Sequence, residues 1–165
     1  MTAPATPRPR VLRADEGDAH WFLGNLATVK ATGADTGGHA TIVEFLNPPG
    51  FAPPLHRHAV EQEMFLVLGG EALFLCDDRE MPAGPGDFVV LPAGLAHSFI
   101  VGPTEPLRTL QITTPSGWEN YALAVGEPAA ERRLPDPGPI DPAALAHAAQ
   151  LHGLEILGPP PVRAG

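Results

Sequence analysis

The chain has 165 residues, 44% of them apolar, with 18 Gly, 21 Pro and a net charge of −9 from 19 acidic and 10 basic side chains. That length suits one domain with a substantial core and is short for two, and the apolar content excludes a chain disordered throughout. The acidic balance argues against a phosphate backbone as partner, so nucleic-acid binding is not expected.

Residues 1–18, opening MTAPATPRPR, read as a flexible Pro- and Arg-rich arm. The arm lacks the apolar stretch of a signal peptide, and no apolar run approaches membrane-spanning length. A soluble cytoplasmic protein with no membrane partner is expected. HWFLGNLATVKA (20–31) carries the first strand signal, TGADTGG (32–38) is a turn or loop by composition, and HATIVEFL (39–46) is a second strand closed by NPPG. EMFLVLGG (63–70) and EALFLCDD (71–78) meet at Gly-Gly, which predicts a hairpin. The only cysteine, Cys76, sits in that apolar run, so it reads as core and no disulfide framework is possible. GDFVVLPAG (86–94), AHSFIVG (96–102) and LRTLQITT (107–114) follow at the short, regular spacing of a sandwich or barrel. Several of these runs are apolar on both faces. They predict cover on both sides, by a second sheet, a terminal segment or a partner subunit, and a homodimer is expected.

Beyond the strands the composition changes. SGWENYALAVG (116–126) predicts a short helix and LPDPGPI (134–140) a linker. DPAALAHAAQLHG (141–153) has Asp141 as N-cap, Pro142 in the first turn and Gly153 as stop, which predicts a second helix. The expected organisation is an arm over 1–18, a β-barrel over 19–115, and a helical segment and tail over 116–165 packing on the barrel.

One stretch does not fit a simple core. PLHRHAVEQEMF (54–65) places His56 and His58 one residue apart, with Glu63 just before an apolar run. On a strand both imidazoles share a face and Arg57 points the other way. Taken singly, the bland readings are a polar sheet face for the histidines, an exposed strand carboxylate for Glu63 and a hydrogen-bonded core imidazole for His97. Taken together, three imidazoles and one carboxylate suit a borderline divalent metal. His20, His39, His147 and His152 follow no such pattern and read as surface or packing residues.

The spacing carries more. Gly50 is followed by five residues, then His56-Arg57-His58, four residues, Glu63, six residues and Gly70. Gly86 is followed by five residues, Pro92, one residue, Gly94, two residues and His97. In order, these two blocks resemble the two sequence motifs of the cupin superfamily. One departure is Val101, where the second motif often has Asn; that position is not a ligand. WFLGNLATVKATGADTGG, TPSGWENY and HGLEILGPPP extend the resemblance over residues 11–161 to single-domain, quercetinase-like cupins of actinobacteria. The Ala-, Pro- and Arg-rich, Lys-poor composition agrees with a high-GC bacterial source.

The resemblance implies an all-β fold, the cupin double-stranded β-helix or jelly-roll barrel, with short C-terminal helices. It implies one divalent transition metal per chain (Ni, Mn, Fe, Co, Cu or Zn) held by His56, His58, Glu63 and His97. The implied function is a metal-dependent dioxygenase that cleaves a flavonol or similar enolic aromatic with O2, with Glu63 as ligand and general base together. A cupin isomerase, cyclase or decarboxylase of secondary metabolism, or a non-catalytic small-molecule-binding cupin, would use the same site, and the sequence leaves these open. Strand parity from Glu63 and His97 turns Phe65, Val67, Phe99 and Val101 inward as a candidate substrate pocket. Trp118 and Tyr121 either close its mouth or pack a dimer.

Overall fold

A computed structural model describes residues 8–163; residues 1–7 of the expected arm and residues 164–165 lie outside the described residues. In chain order the elements are β1 (Asp18–Phe22), β2 (Asn25–Ala31), α1 (Gly33–Thr36), β3 (Thr41–Asn47), β4 (Leu55–His58), β5 (Gln62–Gly69), β6 (Ala72–Cys76), β7 (Arg79–Ala83), β8 (Phe88–Leu91), β9 (His97–Val101), β10 (Leu107–Thr114), α2 (Trp118–Val125), β11 (Glu127–Pro128), α3 (Pro142–Leu151) and β12 (Leu154–Gly158). The strands form two antiparallel sheets, one ordered β11-β1-β2-β3-β10-β5-β8 and the other β12-β4-β9-β6-β7. This is the expected all-β double-stranded jelly roll. No helix among the described residues is long and apolar enough to cross a membrane.

Three local expectations need correction. Residues 20–31 form two strands, because Leu23 (φ 53°) and Gly24 (φ 81°) both take positive φ and close a tight hairpin. The Gly69-Gly70 step is not a hairpin: β5 pairs with β10 and β8, whereas β6 pairs with β7 and β9 in the other sheet. Gly70 has φ 72°, and a Cβ there would meet the Pro106 carbonyl, so the chain can cross from sheet to sheet only with glycine at that point. The hairpin partner of β6 is β7, joined through Asp77 at φ 50°. The stretch read as a turn at 32–38 contains the single-turn α1, where the Thr32 N–H and hydroxyl both donate to Asp35 Oδ2 at 2.9 Å.

β3, β5 and β10 alternate between buried positions and half-buried or exposed ones, a pattern that β5 keeps up to Leu68. Their inward side chains build two apolar clusters. One, around Phe65, Val67, Phe74, Val101 and Leu107, fills one half of the barrel, and Cys76 lies in it. The other joins Phe22, Val43 and Phe45 to Trp118 and Tyr121 of α2, Leu145 and Ala149 of α3, and Leu154 of β12. Trp118 and Tyr121 are therefore barrel-closing core residues. Their rings stand edge-on to Phe22 at 5.5 Å, contacts worth about 0.5–1.5 kcal/mol each beyond the apolar area they bury. α3 begins as its sequence dictates: the Asp141 carboxylate accepts from the Ala143 and Ala144 N–H groups, and Pro142 occupies the first turn.

Candidate metal centre

β4 and β9 run side by side with His56 directly opposite His97. The two-residue period of β4 puts His58 on the same face as His56 and sends Arg57 outward, where it pairs with Glu155 of β12 at 2.6 Å. β5 enters from the other sheet and presents Glu63, whose neighbours in the register are Thr113 of β10 and Leu91 of β8. The ligand-type atoms of His56, His58, Glu63 and His97 thus lie within 4.8 Å of one another. The other four histidines lie outside this cluster.

The geometry suits one ion. His58 Nε2 lies 3.2 Å from Glu63 Oε1, and His97 Nε2 lies 3.2 Å from Glu63 Oε2. Two ligands at about 2.1 Å from an ion and at right angles to each other would stand roughly 3 Å apart. Each imidazole has its Nδ1 engaged elsewhere: His56 with the Pro54 carbonyl at 2.8 Å, His97 with the Leu95 carbonyl at 3.0 Å, and His58 with Glu61 Oε2 at 3.0 Å. Those contacts orient the rings so that the Nε2 atoms converge. His58 is fully buried, and its Nε2 has no aligned hydrogen-bond partner among the described residues. An orphaned nitrogen in a buried N3O donor set is what a divalent ion would satisfy.

The charges are arranged accordingly. Burial would lower the pKa of His58, but Glu63 and Glu61 outweigh it and lift it to about 10. Burial would raise Glu63, but His58 and His97 hold it well below the usual carboxylate range. Burial and the neighbouring His97 push His56 down to about 4. Glu61 and Gln111 are additions to the sequence reading. Glu61 is buried in the loop after β4, and Gln111 of β10 donates to Glu63 Oε1 at 2.9 Å. A carboxylate three residues after a ligand-type histidine was the available signal for Glu61.

The cluster opens into a small cavity of about 70 Å³ that continues to a solvent-open mouth. His56 and Glu63 reach it. Phe51, Phe65 and Phe99 form one wall, with ring centroids 6.0 Å (Phe51–Phe99) and 5.9 Å (Phe65–Phe99) apart. Phe22, Phe45, Trp118 and Tyr121 form another, and Leu145, Leu154 and Ile156 of the C-terminal segment help to cover it. Of the four side chains expected in a pocket, Phe65 and Phe99 line this space. Val67 and Val101 point inward but belong to the packed core behind it and are not among the lining residues. Among the described residues, no Arg or Lys lines the cavity.

Residues 43–113 match the sequence profile of the cupin domain. Quercetin 2,3-dioxygenase of Bacillus subtilis is 36% identical over 96 residues, which are 58% of this chain and 28% of that enzyme. The chain spans well under half the length of the curated relatives it matches. Among solved structures, a predicted oxalate decarboxylase from Thermotoga maritima superposes with a TM-score of 0.59 at 22% identity, over 64% of this chain and 99% of that one. A provisionally assigned sugar phosphate isomerase from Acidithiobacillus ferrooxidans superposes with a TM-score of 0.52 at 30% identity, over 65% of this chain and 76% of that one.

Proposed function

Because the chain belongs to the cupin superfamily, we propose that it works as a metal-dependent dioxygenase, quercetinase-like, on a flavonol or a similar enolic aromatic with O2. His56, His58, Glu63 and His97 hold one divalent ion. The observation that carries this reading is the cavity wall, which is rich in aromatic rings and, among the described residues, carries no Arg or Lys. A sugar phosphate or a dicarboxylate would be buried there without a cationic partner beyond the ion itself, at a cost of several kcal/mol per unpaired charge. A flat, uncharged ring system matches the Phe-lined wall in chemistry and gains by leaving water. The similarity to quercetin 2,3-dioxygenase supports the same class.

The ion supplies Lewis acidity toward an enolic oxygen of the substrate. The chain does the rest. Glu63, ionised throughout the neutral range, accepts the proton of the enolic hydroxyl. Gln111 holds Glu63 Oε1 and fixes the orientation of the carboxylate. Phe51, Phe65 and Phe99 orient the substrate plane, and Trp118 and Tyr121 exclude water from the opposite side.

The test is oxygen uptake. Protein loaded with one ion per chain, given quercetin, should consume one O2 per flavonol lost. Full metal content with no oxygen uptake across Ni, Mn, Fe, Co and Cu would overturn the dioxygenase reading. Turnover without oxygen would move the chain to the isomerase, cyclase or decarboxylase cupins, and binding without turnover to the non-catalytic ones.

A further inference from the structure

The loop between β4 and β5 inverts the usual placement of side chains. Val60 is 70% exposed, and the next residue, Glu61, is 7% exposed. The loop thus turns its apolar side chain to water and its carboxylate into the protein. Burying a carboxylate is costly unless hydrogen bonds replace its water. Glu61 has one side-chain partner among the described residues: its Oε2 lies 3.0 Å from His58 Nδ1.

The three imidazoles of the cluster are not held alike. His56 and His97 rest on the Pro54 and Leu95 carbonyls, each two residues back along the chain. His58 ends β4 and is held by a side chain instead. That side chain is itself confined. Glu61 Oε1 lies beside Gly117, where a Cβ would stand only 3.3 Å from it. Gly117 precedes α2 with φ 142° and is fixed in turn, because its N–H donates to Glu119 Oε2 at 2.9 Å and to Thr41 Oγ1 at 3.2 Å. A carboxylate with fixed main chain against one oxygen and an imidazole on the other leaves little choice of side-chain length.

We propose that Glu61 is the positioning residue of the metal centre. Braced against Gly117, it accepts from the His58 Nδ1–H, keeps the ring proton on that nitrogen and turns Nε2, 3.2 Å from Glu63 Oε1, toward the ion. It belongs neither to the four ligand-type residues nor to the cavity wall, so it acts through His58 and by its reach. The proposal rests on the reading of the His/Glu cluster as a metal centre and is independent of the reaction carried out there. Loss of such a partner weakens metal binding by roughly ten- to a hundredfold in metal sites generally.

The experiment separates reach from charge. Glu61→Gln keeps the reach and an acceptor oxygen and removes the charge, whereas Glu61→Asp keeps the charge and is one methylene short. Wild type and both variants are loaded with Zn2+, and release of the ion to excess chelator is timed, so protons competing for the empty site do not enter. Glu61→Asp should release the ion roughly tenfold or more faster than wild type, and Glu61→Gln should stay much closer to wild type. A Gln variant that releases the ion as fast as the Asp variant, or faster, overturns the proposal. Wild type alone supplies a second reading. Long-range proton–nitrogen NMR correlations of the Zn2+-loaded protein identify the nitrogen of each imidazole that carries the proton. His58 should carry it on Nδ1, and a His58 proton on Nε2 overturns the proposal without any variant. The ring protons of His56 and His97, held by backbone carbonyls, should persist in both variants and report an intact fold. Wild type that takes up no Zn2+ sinks the metal-centre reading together with the proposal, whereas ion-binding wild type with unaffected variants sinks Glu61 alone.

Discussion

Metal uptake near neutral pH should expel a proton from His58. The imidazole sits between two carboxylates, with Glu61 Oε2 3.0 Å from Nδ1 and Glu63 Oε1 3.2 Å from Nε2. With its pKa lifted far above neutral, to about 10, His58 is mostly protonated in the metal-free protein near neutral pH. A ligating nitrogen must give up its proton. His56, pushed down to about 4, is already neutral, and Glu63 is already ionised. The sign follows: below the His58 pKa the proton competes with the ion, so apparent affinity should fall roughly tenfold for each unit by which pH drops. Calorimetric titration of metal-free protein with Zn2+, repeated in buffers of different ionisation enthalpy, gives the number of protons released per ion. His58→Gln should bind the ion more weakly and release about one proton fewer. Wild type that binds one ion at this pH and releases none would refute the reasoning, because His58 would then be neutral despite its two carboxylate neighbours.

Glu63→Gln, corrected for metal content, should lose flavonol turnover by roughly a hundredfold at neutral pH, the usual scale for loss of a general base. The gap should narrow as rising pH ionises the substrate on its own, and rates that match within a few-fold would leave Glu63 only a holding role. The outward side of β5 and β8 exposes Leu68, Phe88 and Val90 (40%, 53% and 48%), a face that a second copy of the chain would cover. Sedimentation should show a dimer at micromolar concentration that Phe88→Glu converts to monomer, and a wild-type monomer would count against it. Asp141→Ala removes the side-chain cap of α3 and should cost about 1 kcal/mol in thermal or denaturant unfolding; an unchanged midpoint would mean that α3 is held by packing alone.

Much of the fold was legible because short apolar runs and turn residues mark strands wherever the chain reverses. DPAALAHAAQLHG was readable for a different reason, since cap, first-turn proline and stop are local signals. Pairing was not local. Nothing in FLVLGGEALFL says that the second run belongs to the other sheet; only the backbone at Gly70, pressed against Pro106, forces the crossing. The small strands β7, β11 and β12 escaped notice because they lack an apolar run of ordinary length.

β10 shows why the site was read only in part. In LRTLQITT the polar residues Thr109, Gln111 and Thr113 are buried, while Leu110 and Ile112 face outward and are half-buried. The usual rule, apolar in and polar out, assigns this strand the wrong way round. Its inversion has one physical cause on each side. Inside, the barrel holds a carboxylate and imidazoles that need neutral hydrogen-bonding neighbours, and Gln111 meets Glu63 there. Outside, the apolar side chains continue the face on which Phe88 and Val90 stand exposed. Asn25 follows the same logic. Its amide nitrogen serves the hairpin, donating to the Phe22 and Leu23 carbonyls, and in the sequence it reads only as one residue of the strand signal over 20–31. Its oxygen, which has no partner among the described residues, becomes visible as idle only when those two carbonyls are in place. A polar side chain in a barrel strand is therefore informative when its local partners account for only one of its two ends.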